Sequence, residues 1–270
     1  MFARVFCRPK RGRLISRRAG IYLLVALTIT VAIAASLVPR TPQPLSYHHF
    51  ADQRGCLGIA NFGDVASNLL FAIFGALGLA YLGGSASRAQ FLDARERWFY
   101  FSIFLGLLLT AFGSSYYHLA PDNARLVWDR LPMTVVFMSL VAAMIAERVS
   151  VTAGVWLLPL LLIIGIASVL QWYASELRGS GDLRFYAAVQ VYAGLVLLVA
   201  VLLPPRYTRS ADLTVVAALY IVAKVCETAD RQIFSIGHVV SGHTLKHLAA
   251  GAAGFWILRM LKNRQPIESH

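Results

Sequence analysis

Eight long runs of apolar residues constrain the fold of this chain more than any other feature of its sequence. Each run has about 17 residues or more, enough for an α-helix to cross the roughly 30 Å hydrocarbon core of a bilayer. The runs lie at residues 21–39, 64–83, 98–119, 131–147, 151–171, 184–204, 212–228 and 242–261. Because they are too long and too uniformly apolar for the alternating strands of a membrane barrel, they predict an all-α integral membrane protein.

The composition excludes an ordinary soluble domain. Hydrophobic residues make up 58% of the 270 residues and charged residues only 14%, and the mean hydropathy is +0.63. In a soluble protein the formal charge of +12 would suggest a nucleic-acid partner. Here the basic residues cluster in the short segments between apolar runs, which is the pattern of membrane topology. We therefore expect a membrane-embedded protein with no nucleic-acid partner.

The basic residues also predict how the chain is oriented and divided. With the N-terminus inside, the inner segments hold more than twice as many Lys and Arg residues as the outer ones. The first run ends without a small-x-small cleavage site, so it is interpreted as an uncleaved anchor. We expect a cytoplasmic tail at 1–20, an anchor helix at 21–39, an outer loop at 40–63, a membrane domain at 64–262 and a cytoplasmic tail at 263–270. An Arg-rich, Ala-rich composition favours a bacterial protein of the inner membrane.

Five polar side chains are predicted to meet at the outer edge of the bundle. Ser114 and His118 are four residues apart, so one helix face carries both at the end of the third span. A Pro-Asp-Asn turn signal follows, and the resulting hairpin should bring Asp129 back beside them. His243 and His247, again four apart, lie at the start of the eighth span. Because ionisable groups are costly in hydrocarbon, their meeting at one depth indicates a functional site.

The three histidines have the spacing of a zinc site. Two imidazoles at i and i+4 can hold one ion from a single helix face, and a third from a neighbouring helix completes a three-nitrogen set. Such a set leaves the fourth tetrahedral position open for water, which is typical of catalytic zinc. Zinc lowers the pKa of that water to about 7 and so supplies hydroxide near neutral pH. The sequence therefore predicts Zn²⁺ at His118, His243 and His247.

Each of these residues also has an ordinary structural explanation. His118 could bind headgroups or backbone at the membrane interface, as many interfacial side chains do. His243 and His247 could be two interfacial residues that extend toward water. Asp129 could cap the start of the fourth span. The convergence of all of them at one depth is what favours the metal site.

Other polar residues are interpreted structurally. Lys224 and Glu227 are three apart in the seventh span, where an internal ion pair explains them. Asp230 is interpreted as a solvated carboxylate at a helix end rather than as a partner of a ligating histidine. The entry to the second span is rich in side-chain oxygens, which could hold calcium but which loop and cap chemistry explains as well: Asp52, Asn61, Asp64, Ser67 and Asn68.

Taken together, the motifs resemble those of the alkaline ceramidases, a family within the seven-span hydrolases and receptors that include the adiponectin receptors. The resemblance covers about residues 52–262 and rests on Ser-x3-His ending at His118, on Asp129 within Trp-Asp-Arg, and on His-x3-His ending at His247. It implies that the second to eighth spans are the family's seven and that the first helix is an addition. It also implies zinc at the three histidines, with Ser114 and Asp129 beside the water that zinc activates.

The resemblance implies hydrolysis of the ceramide amide to a sphingoid base and a fatty acid. We expect Asp129 to act as general base and Ser114 to hydrogen-bond the developing oxyanion. The substrate is expected to be ceramide or another N-acyl lipid, which the sequence does not distinguish. The family's acidic calcium cluster is poorly matched, because Asn61 stands where a Glu is expected.

Two other functions remain open on the same fold. One is a seven-span sensor or receptor-like protein in which zinc is structural. The other is a metal transporter. The absence of matching histidines toward the inner side argues against this function. Neither the oligomeric state nor the preferred acyl chain is predicted.

Overall fold

A computed structural model describes residues 15–267, and these residues form ten α-helices. The helices are α1 (Arg17–Leu37), α2 (Phe62–Ser67), α3 (Leu69–Gly83), α4 (Arg97–Leu119), α5 (Asn123–Arg148), α6 (Val151–Leu177), α7 (Arg184–Leu202), α8 (Asp212–Thr228), α9 (Asp230–Ser235) and α10 (Gly242–Asn263). Short 3₁₀ helices lie at Leu45–His48, Ser85–Gln90 and Ala94–Glu96. Most of the predicted N-terminal tail and the last three residues lie outside the described part of the chain.

Six segments in the described part are long and apolar enough to cross a membrane. They correspond to α1, the α2–α3 pair, α4 with the 3₁₀ turn before it, α5, α6 and α7, so the prediction of a helical membrane protein is confirmed. The seventh and eighth predicted spans are present as α8 and α10 but do not reach the same standard. Helix α8 has only 17 residues, and α10 contains two histidines and a lysine in its first two turns. Their crossing of the bilayer stays a prediction.

The helices close into a bundle with α10 as the last member. Helix α4 packs between α3 and α5, α5 also contacts α6 and α7, and α8 follows α7. Helix α10 packs against α8 on one side and α3 on the other, which closes the arrangement. Helix α1 packs mainly against α7 and presents most of its side chains outward. The bundle therefore brings the beginning of α10 beside the end of α4, and we call this the site end.

The hairpin between α4 and α5 forms as predicted. Asp122 caps α5, its carboxylate accepting a hydrogen bond from the Arg125 backbone N–H at 2.7 Å. Because α5 begins at Asn123, eight residues before the predicted span, Asp129 lies inside the helix and does not cap it. A Cβ at Gly113 would lie 2.0 Å from the Trp128 carbonyl oxygen, so α4 and α5 touch backbone to backbone beside Asp129. A glycine is required for this approach.

The segment between α1 and α2 lies over the site end. Its Gln43 backbone N–H donates to Glu176 Oε1 at 2.7 Å, which attaches the segment to α6. Farther along, the Ala51 backbone N–H donates to Asp230 Oδ2 at 2.9 Å, which attaches it to α9. Within the predicted loop at 40–63 the structure has one 3₁₀ turn, and α2 begins at Phe62. This segment forms a cover over the helix ends.

A buried ionic cluster holds the opposite end of α10. Arg264 is 1% exposed and forms an ion pair with Glu147, and it also donates to the Tyr100 hydroxyl at 2.8 Å. Its guanidinium lies 4.0 Å from the centre of the Tyr207 ring. The cluster ties the end of α10 to α4 and α5, so both ends of this helix have fixed neighbours.

We predict that Gly113→Ala destabilises the protein, because the new methyl group would overlap the Trp128 carbonyl. Overpacking of this kind costs about 1–3 kcal/mol. Thermal unfolding of the detergent-solubilised variant should show a lower Tm. Gly83→Ala is the matched control, since nothing lies within 4 Å of its new Cβ. Equal Tm values for the two variants would contradict the close α4–α5 contact.

Candidate metal centre

Three histidines from two helices meet at the site end. His118 is in the last turn of α4, and His243 and His247 are in the first two turns of α10. The ring centres are 4.9 Å apart for His118 and His243, 5.0 Å for His118 and His247, and 4.9 Å for the α10 pair. One nitrogen from each ring lies within 4.8 Å of the other two, so the three can hold one metal ion. The convergence predicted from the sequence is confirmed for these residues.

The environment of His118 fits a metal ligand. The residue is 0% exposed, and neither of its ring nitrogens has a hydrogen-bond partner among the described residues. A buried polar group that lacks a partner is uncommon in folded proteins, and a bound ion is one explanation. Three imidazoles are a donor set that zinc accepts. The interfacial explanation of His118 is wrong, because its ring is buried among the other two.

His247 is oriented by groups at the start of the α2–α3 pair. Its Nδ1 lies 3.1 Å from the Asp64 carbonyl oxygen and 2.9 Å from Ser67 Oγ. Because a carbonyl oxygen only accepts hydrogen bonds, Nδ1 carries the proton and Nε2 is the nitrogen that can bind a metal. A ligating histidine usually donates its other N–H in this way.

His243 is positioned through its backbone. Its N–H donates to Asp230 Oδ1 at 2.8 Å, while the other oxygen of this carboxylate accepts from the cover at Ala51. Asp230 therefore joins α9, α10 and the cover, and its interpretation as a merely solvated carboxylate is wrong. Ser241 caps α10 as its hydroxyl accepts from the Thr244 N–H at 3.0 Å.

The oxygen-rich entry to the second span supports the histidines. Asn61 Nδ2 donates to the His118 carbonyl oxygen at 2.7 Å, and Asp64 Oδ1 accepts from Thr244 Oγ1 at 2.7 Å. Asp52 forms an ion pair with Arg54 at 2.7 Å, and the hydrogen bonds from this guanidinium lower the pKa of the carboxyl group. Within residues 15–267, the three histidines are the group of three or more His, Cys, Asp or Glu side chains that could hold a metal. Calcium at the oxygen-rich entry stays untested, and we propose loop and cap roles for these oxygens.

Ser114 and Asp129 line a cavity next to the histidines. The cavity has a volume of about 120 Å³, and His247 contributes to the same wall. Ser114 Oγ is buried and lies close to the Asp129 carboxylate. Both side chains can therefore reach a molecule in this cavity. Their catalytic roles stay predictions.

Lys246 is a site residue that the sequence interpretation missed. The predicted pair between Lys224 and Glu227 is present, but Glu227 Oε1 also binds Lys246 Nζ at 2.9 Å. Lys246 lies between the two α10 histidines in sequence, its Nζ is 3.4 Å from His243 Nε2, and it lines the cavity. Its place inside the His-x3-His motif was the available signal.

Aromatic side chains of the cover and of α4 close the site toward the loop side. The Phe50 ring centre lies 4.6 Å from that of His118 and 4.5 Å from that of His243. His48 Nε2 contacts Asn123 Oδ1 at 3.0 Å, and its Nδ1 contacts the Tyr117 hydroxyl at 2.9 Å. His48 had no predicted role, and its contacts hold the cover on the α4–α5 turn.

Comparison with known proteins adds no relative: no protein-family model and no curated protein matches the chain. The resemblance to the alkaline ceramidases therefore stays a prediction carried by the motifs.

We predict that the purified protein binds one zinc ion per chain and that His118→Ala, His243→Ala and His247→Ala each lose it. Removing one of three nitrogen ligands leaves too few donors for tight binding. Metal content is measured by inductively coupled plasma mass spectrometry after dialysis against metal-free buffer. His238→Ala is the control, because this histidine is exposed and lies outside the group. Unchanged zinc content in all three variants would rule out the site.

Proposed function

We propose that the protein is a zinc-dependent intramembrane amidase that hydrolyses the amide of ceramide or a related N-acyl lipid. The observation that carries the proposal is that His247, one of the three histidines that can hold an ion, lines a cavity that also presents Ser114 and Asp129. A structural ion needs only its ligands. Here a carboxylate and a hydroxyl face the same space as one of the ligands, which supports catalysis.

In this proposal Asp129, Ser114 and Phe50 have different roles in the hydrolysis. Zinc, when bound, supplies an activated water at neutral pH. The Asp129 carboxylate takes the proton of the attacking water and passes it to the leaving amine. Ser114 Oγ donates a hydrogen bond to the carbonyl oxygen as negative charge develops there. Phe50 keeps bulk water from the histidines on the loop side.

The shape of the cavity supports a lipid substrate. Apart from its polar head, the wall is almost entirely apolar and follows α5 from Asp129 to Leu140 and α10 from His247 to Ile257. Ten residues of helix extend about 15 Å, so this apolar wall leads from the polar head into the bundle. An amphiphile would thus place its amide at the polar head and its acyl chain within the bundle.

The proposal includes a membrane arrangement. The α2–α3 pair, α4, α5, α6, α7, α8 and α10 would form seven spans, with α1 as an additional span. The distribution of basic residues supports an arrangement with both termini in the cytoplasm and the site end near the outer face of a bacterial inner membrane. Burial of α8 and α10 against their neighbours supports their counting as spans despite their polar residues.

A sensor with a structural zinc is the second candidate. The observation in its favour is the cover, which closes the loop side of the histidine group with Phe50. The two candidates differ in whether a bound N-acyl lipid is cleaved.

We predict that purified protein cleaves a fluorescent ceramide, that a zinc chelator abolishes cleavage, and that Asp129→Asn keeps zinc while lowering turnover. A general base contributes about 10²–10⁴-fold, so we expect a loss of at least about 100-fold. Asp122→Asn is the control on the same helix, since it retains a capping side chain outside the cavity. If zinc-loaded protein cleaves neither ceramide nor other N-acyl lipids, the sensor is favoured.

A further inference from the structure

Lys246 is a buried charge that the proposed hydrolysis does not use. Its side chain is 12% exposed, and its Nζ lies among Glu227 Oε1, His243 Nε2 and the cavity. A charged side chain inside a membrane bundle is costly and commonly marks a ligand pathway or site. A purely structural pair with Glu227 would not need to face the cavity.

The hydrogen bonds of this ammonium are not all used within the protein. It carries three N–H donors, of which one is taken by Glu227. At 3.4 Å, His243 Nε2 is a weak second acceptor, and it is no acceptor at all when this nitrogen binds a metal. At least one donor is therefore free to bind a molecule in the cavity.

The charge around the cavity favours an anion. Asp129 is the only acidic residue in its wall, and Lys246 is the only lysine or arginine. Glu227 cannot fully neutralise Lys246, because the same carboxylate also pairs with Lys224. With a divalent ion at the histidines the cavity is positive overall, so it attracts a negatively charged group.

We propose that Lys246 binds a carboxylate carried by the amine portion of the substrate, so that the preferred substrates are N-acyl amino acids rather than neutral amides. Because Lys246 Nζ is 3.4 Å from a predicted metal ligand, the anionic group must lie close to the amide. A carboxylate on the carbon next to the amide nitrogen meets this condition, whereas a distant phosphate does not. The inference rests on the proposed function for the identity of the site.

The test compares two probes that differ only in the relevant group, N-palmitoylglycine and N-palmitoylethanolamine. Their binding to zinc-loaded Asp129→Asn, whose turnover should be at least about 100-fold slower, is measured by calorimetry in detergent. We expect at least 10-fold tighter binding of the glycine amide, loss of this preference in Asp129→Asn/Lys246→Met, and its retention in Asp129→Asn/Lys246→Arg. Asp129→Asn/Lys224→Met is the matched control, because Lys224 pairs with Glu227 but is 46% exposed and lies outside the cavity wall.

Equal binding of the two probes, or a preference that survives Lys246→Met, would overturn the inference. If the methionine variant loses zinc, the two amides are compared by their kcat/KM in wild-type protein. A kcat/KM for the glycine amide that is no higher than that for the ethanolamine amide would contradict the inference. The amidase proposal fails separately if wild-type protein cleaves neither probe nor ceramide. A carboxylate preference without cleavage would then leave Lys246 as an anion-binding residue of a sensor.

Discussion

Burial of three imidazole rings at one point of an apolar bundle is the constraint on which the rest of this structure depends. A buried donor or acceptor without a partner costs about 1–3 kcal/mol, and both ring nitrogens of His118 are in this situation. A shared ion would give one nitrogen of each ring a partner. The contacts of Asn61, Ser67 and Asp230 place the rings so that one ion can do this.

The sequence predicted the parts of this site that depend on spacing along the chain. A four-residue interval puts two side chains on one helix face, and the turn after α4 returns Asp129 to the same end. The supporting contacts depend on packing instead: Ser67 meets His247 across 180 positions, and Asn61 meets His118 across 57. Nothing local distinguishes such residues from ordinary caps and turns. Lys246 has a local signal in its place between the two histidines, but its partner Glu227 is defined only by how α8 packs on α10.

Helix α10 is held by polar contacts at both ends and by apolar packing between them. Arg264 at one end and Asp230 at the other each join it to different neighbours. Buried ion pairs add little net stability, since desolvation offsets most of their attraction, but a mismatched register would leave their charges unpaired. Such contacts therefore specify one position of α10. The position of α10 also sets the position of His243 and His247. A metal-ligand set needs such a fixed position because its geometry is fixed.

The two sides of the histidine group differ in a way that bears on function. Toward the loop the rings meet Phe50, an apolar side chain with no acid–base chemistry. Toward the bundle, His247 lines a cavity whose wall also carries Ser114, Asp129 and Lys246. A bound lipid would come to the second side, because only there does an apolar wall continue from the polar head. In the proposed hydrolase, Ser114, Asp129 and Lys246 would thus lie on the side from which the substrate comes, an arrangement that a purely structural metal site does not need.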